Sequence, residues 1–233
     1  MSNADEFIRV FNELSAHLCA FTGLESGVSF SRLVDAAASK SATARKHASR
    51  LKAFGRLRNA IVHHEGYPPE IVAEPIDRAL TDFKAMAAEV RTPELVIPRF
   101  QAEVRCFAPN EPLPTVLEYM RQHDYSQVAV RQEGRLRLLT TEGVARYFSE
   151  WTPWDPERTQ YADVRDVLQY DLPDGFLILS SSQTVDDARE AFATELGRGQ
   201  VRLYALLITA SGDAREEPIG IVTPWDFLVL NHA

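Results

Sequence analysis

The sequence predicts two parts of different fold class: an all-α four-helix bundle, followed by a tandem module of mixed α/β (α+β) structure. In the first 91 or so residues, apolar side chains recur every three or four positions, as amphipathic helices require. Five prolines then crowd a short interval, Pro93, Pro98, Pro109, Pro112 and Pro114. Beyond them, short apolar runs alternate with helical patterns. We therefore expect a bundle over 1–92, a linker over 93–104 and the module over 105–233.

The bundle is predicted from four periodic segments. The first carries Phe7, Phe11, Leu14 and Leu18 and ends at Gly23. A second, short helix follows Ser29 or Ser31. The third runs from about 43 to 63 and the fourth from about 69 to 90, with Gly66 between them. Short connections between such helices favour an antiparallel bundle.

The module is predicted to contain an internal duplication. Each copy has the order strand, helix, strand, strand, helix, which suits an α/β layer. The first copy spans 105–150 and the second spans 175–233, with a connection over 151–174.

Composition narrows the class of protein. The chain has 233 residues, 45% of them hydrophobic and 25% charged, and a formal net charge of -8. This is the balance of a folded globular chain rather than a disordered one. Apolar runs are far shorter than the roughly 18 residues of a membrane span, and Ser2 to Glu6 lack the features of a secretory signal. We expect a cytoplasmic protein with no membrane partner.

A strongly basic segment stands out against the acidic whole. Residues 40–64 include seven Lys or Arg and three His, with no Asp or Glu. Solvated helices ordinarily intersperse Glu among their cations, so a polyanion partner such as RNA would explain the absence. The candidate RNA-binding residues are Arg45, Lys46, Arg50, Lys52, Arg56 and His64.

The end of this segment carries residues suited to RNA cleavage. Arg58 can grip two phosphate oxygens, and His63 can transfer protons near neutral pH. Asn59 would orient the imidazole or donate to phosphate. Attack by a 2'-hydroxyl needs these roles and no metal. On a regular helix Arg58 and His63 lie about 140 degrees apart, so we expect the helix to end near His63, or a second molecule to complete the site in a homodimer.

The spacing from Arg58 to His63 resembles the Arg x4 His motif of HEPN domains. That resemblance implies a metal-independent endoribonuclease built as a dimer, and the chemistry predicts 2',3'-cyclic phosphate ends. His64 adjoins His63, so the motif leaves open which histidine acts. The catalytic candidates are Arg58, Asn59 and His63.

The end of the second copy reads Gly220 Ile221 Val222 Thr223 Pro224 Trp225 Asp226 and resembles the Gly x x Thr x x Asp signature of CBS domains. The resemblance implies a paired module with a cleft for an adenosine-containing ligand. In the first copy Thr140 is kept, but Gly143 stands where the ribose-binding Asp belongs, which argues against two equivalent sites. The candidate ligand-binding residues are Thr223, Asp226, Gly220, Ser180 and Thr140.

Two functions of different class follow. The first is a metal-independent endoribonuclease regulated by an adenine nucleotide bound to the CBS-like pair, with no cofactor for catalysis. The alternative is a non-catalytic nucleotide-sensing adaptor whose bundle binds RNA or a partner protein. Either would be a homodimer through the bundle, the pair or both. Two simpler interpretations also stand. In one, Arg58 serves only a surface ion pair; in the other, the CBS-like pair only braces the bundle or dimerises.

Overall fold

The computed structural model describes residues 2–25, 27–63, 70–150, 160–198 and 202–229. Tertiary contacts divide the chain into two units. The helical unit comprises residues 1–94 with 184–187, and the C-terminal unit comprises 95–183 with 188–233. Across the described ranges, no helix combines the length and the apolar character needed to cross a membrane.

Four helices build the helical unit. They are α1 (Asn3–Thr22), α2 (Phe30–Lys40), α3 (Ala42–Ile61) and α4 (Asp77–Arg91). Local sequence sets their ends. Ser2 and Asp5 form a reciprocal capping box at the start of α1, and Gly23 ends it in a left-handed conformation with φ 76°. Ser41 alone separates α2 from α3, and its side chain accepts from the backbone N–H of Ala44.

The core of the helical unit is aromatic and aliphatic. Phe7, Leu14, Leu51 and Phe83 are all fully buried. The ring of Phe83 lies 4.6 Å from that of Phe7 and 4.8 Å from that of Phe54, centroid to centroid. These contacts draw on α1, α3 and α4, so the predicted apolar stripes do face one common core.

The predicted boundaries between the third and fourth helices are wrong. Helix α3 ends at Ile61, and the next two residues form strand β1 (Val62–His63), which pairs antiparallel with β2 (Glu70–Ile71). Helix α4 begins at Asp77, not near 69. β-branched side chains favour the extended strands, and Pro75 disfavours helical geometry at the residue before it.

The C-terminal unit begins with the short α5 (Val96–Arg99) and then repeats one arrangement twice. The first copy contains β3 (Cys106–Phe107), α6 (Leu113–His123), β4 (Gln127–Gln132), β5 (Arg135–Thr140) and α7 (Thr141–Ser149). After α8 (Val164–Leu168), the second contains β6 (Phe176–Ser180), α9 (Val185–Arg198), β7 (Ala205–Thr209), β8 (Gly220–Val222) and α10 (Pro224–Val229). The predicted order of elements is confirmed in both copies.

The two sheets of the C-terminal unit share one topology. In the order β3-β4-β5 and the order β6-β7-β8, the first pair of strands is parallel and the second antiparallel. An apolar cluster centred on Ala129, Leu136 and Leu207 joins the two sheets. The duplication therefore gives two equivalent positions, one beside the exit of β5 (the first cleft) and one beside the exit of β8 (the second cleft).

Candidate functional site

A cavity of about 490 Å³ lies in the C-terminal unit beside the exit of β8. One wall is the chain segment 99–105, and a second wall is the end of α6 with the start of β4. The third wall comprises Ile221, Thr223, Trp225 and Asp226. A volume of this size suits a small organic ligand such as a mononucleotide.

Asp226 is held in place by Thr223, the residue that directly precedes its helix α10. Its Oδ2 accepts hydrogen bonds from the backbone N–H of Thr223 at 2.6 Å and from Thr223 Oγ1 at 2.8 Å. Within the described residues, Oδ1 makes no hydrogen bond, and it belongs to a side chain on the cavity wall. Asp226 can therefore accept from a ligand hydroxyl without giving up its bonds to Thr223.

The same hydrogen bonds occur elsewhere in the chain as an ordinary helix cap. Asp187 Oδ2 accepts from the backbone N–H and from Oγ1 of Thr184, both at 2.8 Å, at the start of α9. The Thr x x Asp spacing is thus in part a capping device. What distinguishes Asp226 is its position on the wall of a cavity.

Aromatic and cationic side chains from both copies and from the segment before β3 lie at the cavity. The guanidinium carbon of Arg105 lies 4.4 Å from the ring centroid of Phe107 and 5.0 Å from that of Tyr119. Tyr125 is half exposed, and Trp225 is 73% exposed. Arg99 adds a second cation. Such a lining offers aromatic surface to a base and positive charge to a phosphate.

The segment predicted as a linker is part of this site. The backbone N–H of Ala102 donates to Ile219 O at 3.2 Å, and Gln101 forms an antiparallel bridge with Gly220. A Cβ on Gly220 would collide with the carbonyl oxygen of Phe100. Gly220 therefore allows close approach of two backbone segments, and it does not line the cavity.

The other two predicted ligand residues lie elsewhere. Ser180 is the last residue of β6, and its hydroxyl hydrogen-bonds with Ser182 at 2.8 Å and with Ala210 O at 3.3 Å. Thr140 lies in the cleft of the first copy, where its hydroxyl donates to Asp171 at 2.6 Å. Of the five candidates, the structure brings Thr223 and Asp226 together at the cavity.

The strand order and pairing, with Thr223 and Asp226 at the exit of β8, agree with the resemblance to CBS domains. The two copies together are called the CBS-like pair. No family model and no curated protein matches the sequence. Solved structures similar to this chain include CBSX2 in complex with AMP, with 16% identity and a TM-score of 0.43 over 60% of this chain and 96% of that one.

Two further structures are similar at the same level. One is the CBS domain pair of protein MJ0100 in complex with 5'-methylthioadenosine and S-adenosyl-L-methionine, with 13% identity and a TM-score of 0.43 over 59% of this chain and 95% of that one. The other is a CBS domain-containing protein of unknown function from Kribbella flavida, with 13% identity and a TM-score of 0.44 over 58% and 96%.

Sequence reasoning missed most of the wall of the CBS-like cavity. Tyr119, Tyr125 and the segment 99–105 carry no sequence motif. Asp171, which bonds to Thr140 in the first copy and not at this cavity, carries none either. The internal duplication is the signal that identifies them. Once β3 and β6 are matched, the segments that precede the two strands become equivalent, and so do the residues that enter β4 and β7.

A second cavity, of about 440 Å³, lies in the helical unit between the start of α2 and the last turns of α3. The predicted residues Arg58 and Asn59 line it together with Lys52 and Arg56. The guanidinium carbon of Arg58 lies 5.9 Å from the ring centroid of Phe11. The structure thus brings four of the predicted cationic and amide side chains to one concave surface, along with the hydroxyl-bearing Ser29 and Ser31.

Neighbouring helices supply the acidic groups that α3 itself lacks. Glu89 of α4 lies 3.2 Å from Lys46 Nζ and 2.7 Å from His47 Nε2. Burial raises the pKa of Glu89, but the hydrogen bonds from His47 and Lys46 outweigh that effect and leave it lowered. Ion pairing between helices therefore accounts for part of the pattern that suggested a polyanion.

The remaining candidates on α3 divide into two groups. Arg50 pairs with Asp82 at 3.0 Å, Lys52 pairs with Asp35 at 2.5 Å, and Arg45 donates to Ala38 O at 2.9 Å. Arg56 makes no ion pair to any residue in the described part of the chain, and it is exposed at the cavity. Arg56 is thus the candidate whose charge remains available to an anion.

Of the two predicted histidines, the structure describes only the backbone of His63. His63 is an extended residue of β1, with its Cα opposite that of Glu70, so it does not continue helix α3. Its side chain, and the whole of His64, lie outside the described residues. The 140-degree separation expected on a continuous helix therefore does not apply to Arg58 and His63. Where the structure is described, no cluster of three or more His, Cys, Asp or Glu side chains is arranged to hold a metal ion.

Proposed function

We propose that this protein is a nucleotide-sensing regulator whose CBS-like pair binds an adenine nucleotide beside Asp226. The observation that carries the proposal is the cavity of about 490 Å³ with a positioned carboxylate on its wall. Asp226 accepts from the ribose hydroxyls, as acidic residues do in other nucleotide sites. Tyr119, Tyr125 and Trp225 offer surface to the base, and Arg99 and Arg105 attract the phosphate.

The choice of adenine follows from the Thr x x Asp signature and guides the choice of probe. CBSX2 was solved with AMP, and the pair of MJ0100 with 5'-methylthioadenosine and S-adenosyl-L-methionine. Each of these molecules contains adenine and ribose. AMP is therefore the first probe, and regulation requires that it bind two states of the protein with different affinity.

Titration calorimetry with AMP on Asp226→Ala tests the proposal. We expect the variant to bind AMP at least tenfold more weakly, because a hydrogen bond to a charged group contributes about 1.5–3 kcal/mol. The matched control is Asp187→Ala, which removes an identical helix cap away from the cavity. Equal loss of AMP affinity in both variants, or no binding of AMP and its adenosine-containing relatives by the wild-type protein, would refute the proposal.

The cavity of the helical unit favours a second candidate function, RNA cleavage. Arg58 and Arg56 would bind the phosphate, Asn59 would donate to it, and His63 would transfer the protons without a metal. In this scheme the nucleotide bound by the CBS-like pair regulates the cleavage.

Incubation of the protein with mixed-sequence RNA in EDTA tests the second function. We expect cleavage to 2',3'-cyclic phosphate ends that Arg58→Ala slows by 100-fold or more, since loss of one charge-stabilising group costs about 2.7–4 kcal/mol. His63→Ala should stop cleavage while RNA binding persists. Arg78→Ala, an exposed Arg of α4 away from the cavity, serves as control. Full cleavage by His63→Ala would show that this histidine is not catalytic.

A further inference from the structure

The two threonines at the strand exits of the CBS-like pair each hold a carboxylate, but the carboxylates come from different places in the chain. In the second copy, Thr223 donates to Asp226, three residues onward. In the first copy, the backbone N–H and Oγ1 of Thr140 donate to Oδ1 of Asp171 at 3.2 and 2.6 Å. Asp171 lies 31 residues onward, ahead of β6. In the first copy, a contact between residues far apart in the chain thus replaces the local contact of the second copy.

Gly143 provides the space for this replacement. It stands three residues after Thr140, as Asp226 stands after Thr223. A Cβ on Gly143 would lie 2.5 Å from Oδ2 of Asp171, well inside any normal contact. The backbone of Gly143 is helical, so no turn geometry requires a glycine there. Glycine within a helix is unfavourable, so its presence at position 143 needs a reason. We assign that reason to the Asp171 carboxylate, which occupies the space that a side chain would need.

The carboxylate of Asp171 is enclosed, unlike that of Asp226. Asp171 is 6% exposed and Thr140 is 3% exposed. Burial raises the pKa of Asp171, although the hydrogen bonds from Thr140 lower it. Asp226 is only half-buried and faces a cavity.

A second set of side chains crosses the first cleft close by. Glu142 of α7 accepts from the hydroxyl of Tyr204 and pairs with Arg202 at 2.9 Å, and both partners lie just before β7. The backbone N–H of Tyr204 also donates to Gly175 O at 2.8 Å. The equivalent entrance to β4, at Ser126 and Gln127, lines the open cavity of the other cleft.

We infer that the first cleft is closed by the chain itself, with Asp171 in the place of a ligand-facing carboxylate, so that the CBS-like pair takes up one nucleotide rather than two. The inference deepens the proposed function and rests on it for the nature of the ligand. The closure itself is a property of the folded chain and can be tested without any nucleotide.

A double-mutant cycle in urea unfolding tests the closure. Gly143→Ala in the wild-type chain should lower the urea midpoint by roughly 0.5–1 M, because the new methyl overlaps the Asp171 carboxylate. In an Asp171→Ala background the same substitution should leave the midpoint unchanged or raise it. Asp174→Ala, an exposed carboxylate of the same connection, is the control background and should not relieve the penalty. An equal penalty in all three backgrounds would overturn the inference.

Moving the carboxylate from position 171 to position 143 provides a second, independent test of the closure. Gly143→Asp combined with Asp171→Ala restores to the first copy the spacing found in the second, and it supplies Thr140 with a local acceptor. We expect this double variant to have a higher urea midpoint than Asp171→Ala alone, or to recover folded protein if Asp171→Ala does not fold. A lower midpoint, or no recovery, would contradict the proposed replacement.

The AMP stoichiometry separates this inference from the proposed function. Calorimetry should give one AMP per chain in the wild-type protein, bound at least tenfold more weakly in Asp226→Ala. Two AMP per chain, with one lost in Asp171→Ala, would show that Asp171 serves an open second site and would overturn the closure. If no AMP binds at all, the proposed function fails, and the unfolding cycle alone still decides whether Asp171 takes the place of the missing carboxylate.

Discussion

At the scale of single residues, the hydrogen-bond partner decides what a carboxylate can do. Asp187, Asp226 and Asp171 all accept from a threonine N–H and hydroxyl. Asp187 caps a helix, Asp226 caps a helix on the wall of a cavity, and Asp171 fills a cleft from a distant part of the chain. Residue type does not separate these three cases, and the shared spacing of three residues does not separate Asp187 from Asp226. Their surroundings and burial do.

The raised pKa of Asp171 predicts a pH dependence of stability at this site. A carboxyl group whose pKa is higher folded than unfolded stabilises the fold most below its ordinary value of 3.8, and this contribution is lost as the pH rises through the folded pKa. Asp171→Asn cannot ionise. We therefore expect the urea midpoint of the wild-type protein to fall relative to that of Asp171→Asn as the pH rises from 3.8. A difference that is constant with pH would show that Asp171 does not titrate differently in the folded state.

At the scale of elements, α3 illustrates how a charge pattern is shared between helices. Its cations meet carboxylates of α2 and α4, while its last turns place Arg56, Arg58 and Asn59 at a cavity. Its apolar side packs on the rings of α1 and α4. The helix therefore combines a packing role with the presentation of a small group of polar side chains.

Removal of Phe83 tests the packing of the helical unit. Phe83 is fully buried against three other phenylalanine rings, so Phe83→Ala should lower the free energy of unfolding by about 3–5 kcal/mol. Phe21→Ala, whose ring is 43% exposed, should change it by no more than about 0.5 kcal/mol. Urea unfolding followed by helical circular dichroism measures both. Similar losses in the two variants would mean that Phe83 is not a core residue.

At the scale of the whole molecule, each unit carries its own cavity and its own charged groups. The helical unit has a cavity lined by cations, and the CBS-like pair has a cavity in which cations, aromatic rings and a positioned carboxylate meet. In the proposed function, the CBS-like pair recognises a ligand and the helical unit carries out or passes on the response. The chain is acidic overall, with a net charge of -8, so its cationic cavity is a local feature.

The sequence by itself determined the class of each part, the four helices, the order of elements in both copies and the position of Thr223 and Asp226. These follow from apolar periodicity, caps and turns, which act over a few residues. The apolar periodicity predicts a third helix that continues to about residue 63. The structure ends that helix at Ile61, because Val62 and His63 pair with β2 instead. Only the tertiary structure decided that 99–105 forms a wall, that Glu89 and Asp82 face α3, and that Asp171 meets Thr140. Such contacts join residues far apart in the chain, and packing sets them rather than local propensity.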